Sequence, residues 1–394
     1  MRSTISSFSV LTLATWSLAA SFGCSSGSSP TRDAAITDAD AMAQPQDTAD
    51  TGGATDVADT ASTTDTTDTA DAADAGAPMP TVVAQLNSLP ASLALGGDSL
   101  YVTIAETAAG SDGMVVRVAK TATDATPDGG VTTLASGLNQ PRTIAVAGDK
   151  VLWADIETPF PKLPDVMTVP TTGGNATELV SGATTMTQFA IANSVLYTLT
   201  DNVQVISPVA LNAADGGVGQ PVYPGNSPSA TINPDTDGTS VFFFTNGATN
   251  LDLFSVPVAG GTATDISMNA TSGSVDFDFL VNDATTIFWS DAGTGTVFSL
   301  AKTAGATRMP LSTFATGSGP VQMALDGDNI YLLWAKQLMR LPKAGGTATV
   351  LASVAGSVPD TYLASLGNSV ALAVDDTFVY WLYEGHGEIL KIAK

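Results

Sequence analysis

The sequence has few of the residues on which disulfides, metal centres and acid–base catalysis most often depend. It contains one cysteine and one histidine in 394 residues, which excludes an internal disulfide framework, a multi-cysteine zinc site and a histidine-rich metal centre. Basic residues are also scarce, because 14 Lys and Arg stand against 38 Asp and Glu, a net charge of −24. We therefore expect no binding to nucleic acid or to anionic lipid surfaces. Apolar residues make up 44% of the chain, enough for a sizeable core.

The N-terminus has the pattern of an export signal. Arg2 precedes a short apolar stretch from Phe8 to Ala20. This stretch is shorter than the ~20 residues that a membrane-spanning helix needs, and small residues follow it. Residues 1–23 are therefore predicted to be a signal peptide.

The only cysteine, Cys24, lies where cleavage of this signal is expected. The arrangement resembles a bacterial lipoprotein signal, which implies that Cys24 is lipidated and becomes the mature N-terminus. Ser25, directly after it, resembles the pattern sent on to the outer membrane of the cell envelope. The alternative is simple cleavage near Ala20, which would leave Cys24 as a free thiol. Contact with the membrane is expected through the lipid anchor only.

The segment that follows, to residue 80, is predicted to be a disordered tether. Residues 25–80 contain eleven Asp, a single basic residue, Arg32, and no aromatic residue. Such a segment cannot bury enough apolar surface to offset the loss of chain entropy, and its like charges extend it. The irregular Asp spacing does not match the fixed ligand positions of a calcium-binding loop.

Residues 81–394 contain a repeat. An apolar strand, a tight turn and a second strand with an aromatic residue recur at spacings of 42 to 52 residues. A period near 46 is typical of one propeller blade with four short strands. We therefore predict an all-β fold, a seven-bladed β-propeller, with six blades or an open β-sandwich as alternatives. The repeated aromatic residues are Tyr101, Trp153, Tyr197, Phe243, Trp289, Tyr331 and Tyr380.

The two ends of the repeat region indicate how the ring closes. The seventh repeat ends at Lys394, directly after its third strand, and lacks a fourth. Residues 81–90 resemble the fourth strand and blade connection at 133–141. Residues 81–86 are therefore predicted to complete the seventh blade, which removes two exposed strand edges.

Residues 152–155 (Leu-Trp-Ala-Asp) and 288–291 (Phe-Trp-Ser-Asp) resemble the motif of YWTD propellers from low-density lipoprotein receptors. The resemblance extends over residues 81–394 and implies a propeller. That class usually has six blades, whereas seven repeats are counted here. In that class the motif residues are structural.

Few residues suggest chemistry. Asn233, Asp235 and Asp237 resemble the start of a calcium loop, although the same residues suit an ordinary hairpin turn. Asp155 and Asp291 could hold a metal at the ring centre, or could accept hydrogen bonds from backbone N–H groups at strand ends. No other cofactor is expected.

The preferred function is that of an exported, membrane-tethered, non-catalytic monomer that binds a surface protein or glycan. The alternative is an exported metal-dependent hydrolase or lactonase. In a propeller, connections from second to third strands share one face with those between blades. The longest of these connections runs from Asp155 to Asp165, and its three prolines would hold an aromatic side chain rigidly. Candidate ligand-binding residues on this face are Glu106, Asn139, Arg142, Asp155, Phe160, Asp291, Glu384 and His386.

Overall fold

The computed structural model describes residues 79–394 with gaps. The gaps are residues 87, 106–111, 124–129, 156–164, 183–188, 201–204, 213–216, 226–229, 247–249, 267–270, 273–278, 292–293, 304, 315–321, 335–336, 354–370 and 384–386. The predicted signal peptide, lipidated Cys24 and tether to residue 78 lie outside the described residues. Within them no helix is long and apolar enough to cross a membrane.

The described residues form seven antiparallel sheets, the blades of a β-propeller, as predicted. The first strand, β1 (Thr81–Gln85), belongs to the last blade. Blade 1 contains β2 (Pro90–Gly96), β3 (Ser99–Ile104), β4 (Gly113–Ala119) and β5 (Val131–Leu138). Blade 2 contains β6 (Pro141–Ala147), β7 (Lys150–Asp155), β8 (Asp165–Pro170) and β9 (Thr177–Val180). Blade 3 contains β10 (Ala190–Ala192), β11 (Val195–Thr200) and β12 (Val205–Ala210).

The remaining blades follow the same up-and-down order. Blade 4 contains β13 (Ala230–Thr236), β14 (Ser240–Asn246), β15 (Asn250–Pro257), β16 (Thr264–Asp265) and β17 (Thr271–Ser272). Blade 5 contains β18 (Leu280–Asn282), β19 (Thr286–Asp291), β20 (Thr296–Ala301) and β21 (Met309–Thr313). Blade 6 contains β22 (Gln322–Leu325), β23 (Asn329–Trp334), β24 (Gln337–Pro342) and β25 (Thr349–Ser353). Blade 7 contains β26 (Leu372–Val374), β27 (Phe378–Tyr383) and β28 (Glu388–Ala393).

The predicted ring closure is present. Strand β1 pairs antiparallel with β28, so the first strand of the described chain is the fourth strand of blade 7. Val83, Ala84 and Leu86 are buried, and the N–H of Leu86 donates to the carbonyl of Gly387. A side chain at Gly387 would collide with the Leu86 carbonyl, so this close approach requires glycine. The two ends of the propeller are therefore held together by both pairing and burial.

Clusters of buried apolar side chains fill the junctions between neighbouring blades. At the junction of blades 1 and 2, for example, Tyr101 packs in the same cluster as Trp153. Tyr380 from blade 7 and Val102 from blade 1 share a cluster in the same way, so the core continues around the closed ring. A propeller core is thus a set of junctions between blades, and each blade contributes both of its faces.

The structure separates the repeated aromatic residues into two adjacent positions of the second strand. In one position, Tyr101 and Tyr380 face the following blade. In the next position, Trp153 and Trp289 face the preceding blade. Because successive strand residues point to opposite faces, a single aromatic column in the sequence corresponds to two different packing roles.

The two open faces of the ring differ in their connections. The turn face comprises the turns between first and second strands, such as 148–149 and 326–328, and those after the third strands. The loop face comprises the connections from second to third strands, such as 156–164, and those between blades, such as 354–371. Turns between first and second strands have only two or three residues, whereas loop-face connections vary widely in length.

Candidate functional site

The candidate site on the loop face is described best at blade 2. Asp155 ends β7 and is 7% exposed, and its Oδ1 accepts the backbone N–H of Gln140 at 3.1 Å. The side chain of Gln140 in turn accepts a hydrogen bond from Nη2 of Arg142 at 3.2 Å. The structure therefore brings together Asp155, Arg142 and the connection that contains Asn139.

Asp165 is a further member of this group that the sequence did not single out. It begins β8 directly opposite Asp155, is buried, and its Oδ1 accepts the N–H of Gly182 at 2.8 Å. Each carboxylate thus fixes the connection that leads into or out of its own blade. The signal available in the sequence was the placement of an Asp at both ends of the longest connection from a second to a third strand.

Asp291 occupies in blade 5 the place that Asp155 occupies in blade 2. It ends β19 and is 4% exposed, and its Oδ1 accepts the N–H of Thr294 at 3.1 Å. This arrangement corresponds to the structural alternative for both carboxylates, a strand-end Asp that binds backbone N–H groups. Glu106, Phe160, Glu384 and His386 lie outside the described residues, so their relation to this group stays a prediction.

Metal ligation can be examined only in the described part of the chain, where no group of three His, Cys, Asp or Glu side chains could hold an ion. Of the suggested calcium residues, Asn233 and Asp235 lie in β13, and Asp237 lies in the turn between β13 and β14. Oδ1 of Asp237 accepts the N–H groups of Thr239 and Ser240, both at 2.9 Å, and its Oδ2 pairs with Lys302 Nζ at 2.8 Å. An ammonium group thus already neutralises this carboxylate. The side chain of Asn233 lies outside the described residues.

Asp235 belongs to a polar network that joins blades 4 and 5. Its Oδ2 accepts a hydrogen bond from Nδ2 of Asn282 at 2.6 Å, and Oδ1 of Asn282 accepts one from Lys302 Nζ at 2.6 Å. Burial raises the pKa of Asp235 to about 6, although these hydrogen bonds and the charge of Lys302 oppose the shift. The network places a carboxylate, an amide and an ammonium in one chain between two blades.

The pairing of Asp237 with Lys302 recurs around the turn face. In this arrangement, which we call the clasp, an Asp at the turn after a first strand accepts N–H groups of its own turn. It also pairs with the Lys that follows the third strand of the next blade. In two clasps the second-strand tyrosine also donates its hydroxyl to the Asp. The four clasps are Asp237–Lys302, Asp283–Lys343, Asp326–Lys394 and Asp375–Lys120, at 2.8 to 3.0 Å.

Both members of the clasp are absent together at the other junctions of the described ring. The place of the Asp is held by Gly96 in blade 1, Ala147 in blade 2 and Ala192 in blade 3. The place of the Lys is held by Thr171 in blade 2, Leu211 in blade 3 and Val258 in blade 4. A Cβ at Gly96 would lie 2.7 Å from Cγ1 of Val146, so the blades approach too closely there for a carboxylate. The clasp therefore belongs to blades 4 to 7 and their following neighbours.

The clasps predict how stability changes in acid. Burial opposes ionisation, but hydrogen bonds from the turn and from Lys hold the pKa of Asp237, Asp283 and Asp326 below the usual range and lower that of Asp375 to about 2. A depressed folded-state pKa stabilises the fold above the unfolded pKa of ~4, and the contribution is lost as the pH falls toward the folded value.

We expect Lys394→Gln to lower the free energy of unfolding by about 0.5–1 kcal/mol at pH 7 and by a similar amount at pH 3, because the depressed pKa keeps Asp326 ionised in the folded protein at both pH values. Urea unfolding at both pH values measures this difference. Lys150→Gln is the matched control, since Lys150 also lies at the turn face but is not part of a clasp. A loss for Lys394→Gln no larger than that for Lys150→Gln, or a loss that has already disappeared at pH 3, would contradict the assigned role.

Comparison with known proteins supports the fold and goes no further. Neither known protein families nor curated protein sequences gave a match. Among solved structures, a catalytically inactive virginiamycin B lyase from Staphylococcus aureus with quinupristin is similar at 10% identity. The match covers 80% of this chain and 98% of that one, with a TM-score of 0.57.

Two further structures are similar over comparable lengths. YCF48 bound to D1 peptide has 11% identity, covers 82% of this chain and 96% of that one, and gives a TM-score of 0.53. The WD40 propeller domain of Doa1 has 10% identity, and the match covers 80% of this chain and 97% of that one, with a TM-score of 0.53. Proteins this different in sequence share the architecture only. The described part of this chain is a seven-bladed β-propeller.

Proposed function

We propose that this protein is an exported, lipid-anchored, non-catalytic propeller that binds a protein or glycan at the bacterial cell surface through its loop face. The observation that carries the proposal is the use of the loop-face carboxylates. Asp155, Asp165 and Asp291 each accept backbone N–H groups of their own connections. Carboxylates that accept these hydrogen bonds hold the connections of the loop face in place, and they are less suited to hold a catalytic metal ion.

The distribution of connection lengths supports the choice of face. Turn-face connections between first and second strands are uniformly short, whereas segments such as 156–164 and 354–371 join strands on the loop face. Binding residues are found disproportionately on loops that a rigid scaffold positions. YCF48, which shares the architecture, was solved with a bound peptide, and this supports by analogy a binding role for a ring of this kind.

The acidic composition indicates the class of partner. With a net charge of −24, the protein repels anionic surfaces and favours a cationic or metal-bridged partner. We infer that Phe160, on the segment between Asp155 and Asp165, is an anchor residue, because a rigid aromatic side chain contributes contact area at low entropic cost.

Binding to arrays of surface glycans and to a panel of purified envelope proteins tests this proposal. We expect a specific ligand whose affinity falls at least about tenfold in Phe160→Ala, the range expected for an interface anchor. Asp149→Ala, on the turn face, is the control and should bind as the parent does. If Phe160→Ala keeps its affinity and Asp149→Ala loses it, the site lies on the turn face and the proposed face is wrong. Hydrolysis of lactones by the purified protein that depends on added metal would favour the enzymatic alternative.

The anchoring part of the proposal has its own test. Mass spectrometry of protein extracted from membranes should show a mature chain that begins at diacylated or triacylated Cys24. Cys24→Ser should release the protein into the soluble fraction, because a single thiol carries the anchor. An unmodified N-terminus, or identical fractionation of Cys24→Ser, would contradict lipidation.

A further inference from the structure

A cavity of about 440 Å3 opens on the turn face between blades 5 and 6. Its walls include the clasp pair Asp283 and Lys343, together with Phe288, Ser299 and Met309. Met309 is 63% exposed, so an apolar side chain lies at the mouth of a polar cavity. The volume is within the range of sites that hold small ligands or single side chains.

Corresponding positions in other blades indicate what this cavity fits. Phe288, Ser299 and Met309 lie directly opposite one another on β19, β20 and β21. In blade 1 the corresponding third-strand residue, opposite Tyr101, is Arg117. In blade 7 it is Lys391, opposite Tyr380. At the place where these blades carry a long basic side chain, blade 5 carries a serine.

These basic side chains cross to the next blade and bind a backbone carbonyl there. Nη1 of Arg117 donates to the carbonyl of Thr171 at 3.1 Å, and Nζ of Lys391 donates to the carbonyl of Lys120 at 2.9 Å. Thr171 and Lys120 each follow a third strand directly, as Lys343 does in blade 6. The carbonyl of Lys343 is therefore the equivalent acceptor beside the cavity, and the side chain of Ser299 is too short to reach it.

A clasp lysine does not prevent a second cation from binding. At the junction of blades 7 and 1, Lys120 pairs with Asp375 at 3.0 Å while Lys391 binds the Lys120 carbonyl. The cavity has the same arrangement, since Lys343 pairs with Asp283 at 2.8 Å and lies 5.6 Å from the centroid of the Phe288 ring. Blade 5 has no counterpart of the second cation, Lys391, because Ser299 lies at that place.

We propose that this cavity is a binding site for an arginine side chain of a partner protein. The guanidinium donates to the carbonyl of Lys343, as Arg117 does to Thr171, and its methylene groups pack against Phe288 and Met309. Guanidinium is less strongly hydrated than ammonium and offers several donors, which favours arginine in a partly buried groove. The site lies on the turn face and is independent of the proposed loop-face site.

Titration of the full mature chain with a blocked arginine tripeptide, followed by amide NMR, tests the site. We expect saturable shifts at Thr285 and Ala344 with a Kd on the order of 1 mM. The same peptide with citrulline, the uncharged isostere of arginine, should bind at least about tenfold more weakly, because the charge-assisted hydrogen bond is lost.

Two variants locate the site. Ser299→Arg supplies the missing side chain from the protein itself and should abolish the shifts, whereas Ser255→Arg, at the corresponding place in blade 4, should leave them unchanged. Met309→Lys places a like charge at the exposed mouth of the cavity and should weaken binding, so it locates the site even if Ser299→Arg fails to fold. Absence of saturable shifts in the parent, equal binding of citrulline, or unchanged binding by a folded Ser299→Arg would overturn the proposal.

Discussion

A variant that lacks residues 1–86 is expected to be several kcal/mol less stable than one that begins at Pro78, a large share of a total of ~5–15 kcal/mol. The loss has two causes. The pairing of β1 with β28 disappears, which leaves an unpaired edge, and the buried side chains of Val83 and Leu86 are removed from the core of the junction with blade 1.

Urea unfolding followed by tryptophan fluorescence measures this difference. The chain that begins at Pro78 is the control, because it lacks the same N-terminal segment but keeps β1. Equal midpoints and equal denaturant slopes for the two chains would refute the closure, since both quantities depend on the surface that unfolding exposes.

Trp289→Ala is expected to cost about 3–5 kcal/mol, as do other truncations of large buried aromatic residues. Trp289 is fully buried, and its ring lies 5.5 Å from that of Phe298 and 6.4 Å from that of Phe244. The substitution therefore leaves a cavity between blades 4 and 5 and removes two aromatic contacts.

Trp289→Phe is the matched control. Within the described part of the chain, Nε1 of Trp289 has no hydrogen-bond partner, and Phe243 fills the corresponding place in blade 4. We expect this variant to lose less than about 1.5 kcal/mol, because most of the apolar contact is kept. Denaturation of both variants gives the comparison, and a loss for Trp289→Phe equal to that of Trp289→Ala would show that the indole N–H matters more than the packing.

The blades were predictable because their signal is local. Each first strand, turn and second strand lies within 11 to 17 residues, and the regular period fixes the number of blades. Closure by residues 81–86 was also predictable, since the seventh repeat lacks a fourth strand and residues 81–90 resemble the fourth strand of the first repeat at 133–141. The sequence could not show which aromatic residues face the preceding blade and which face the following one. A shift of one residue reverses the face, and turns of two or three residues make the alignment between blades uncertain by that amount.

The clasps could not be predicted from the sequence in the same way. Asp326 and Lys394 are 68 residues apart, and each alone is an ordinary turn or strand-end residue. Their pairing depends on the rotation between consecutive blades, which no local pattern contains. The sequence did not predict the cavity at Ser299, because only the register of the third strands shows that this serine is equivalent to Arg117 and Lys391 in other blades.

At the candidate site the sequence predicted a binding face, and that choice stays a prediction. For Asp155 and Asp291 it left two roles open, and the hydrogen bonds from Gln140 and Thr294 match the structural one. Asp165 and Gln140 were missed, because their importance comes from the neighbours that the fold gives them. The identity of the partner depends on loop surfaces, which the repeat pattern does not determine.

The seven-bladed ring depends on the pairing of β1 with β28, and a cysteine cross-link tests that pairing most directly. Gln85 lies opposite Glu388, next to the hydrogen-bonded pair Leu86 and Gly387. Residues at such a non-hydrogen-bonded place have Cα atoms ~4.5 Å apart, which a disulfide can span. In a Cys24→Ser background, Gln85→Cys/Glu388→Cys should therefore form an intramolecular disulfide, detected by peptide mass spectrometry, whereas Gln85→Cys/Lys391→Cys should not. Cross-linking of the second pair but not the first, or disulfides only between molecules, would contradict a ring closed by its own first strand.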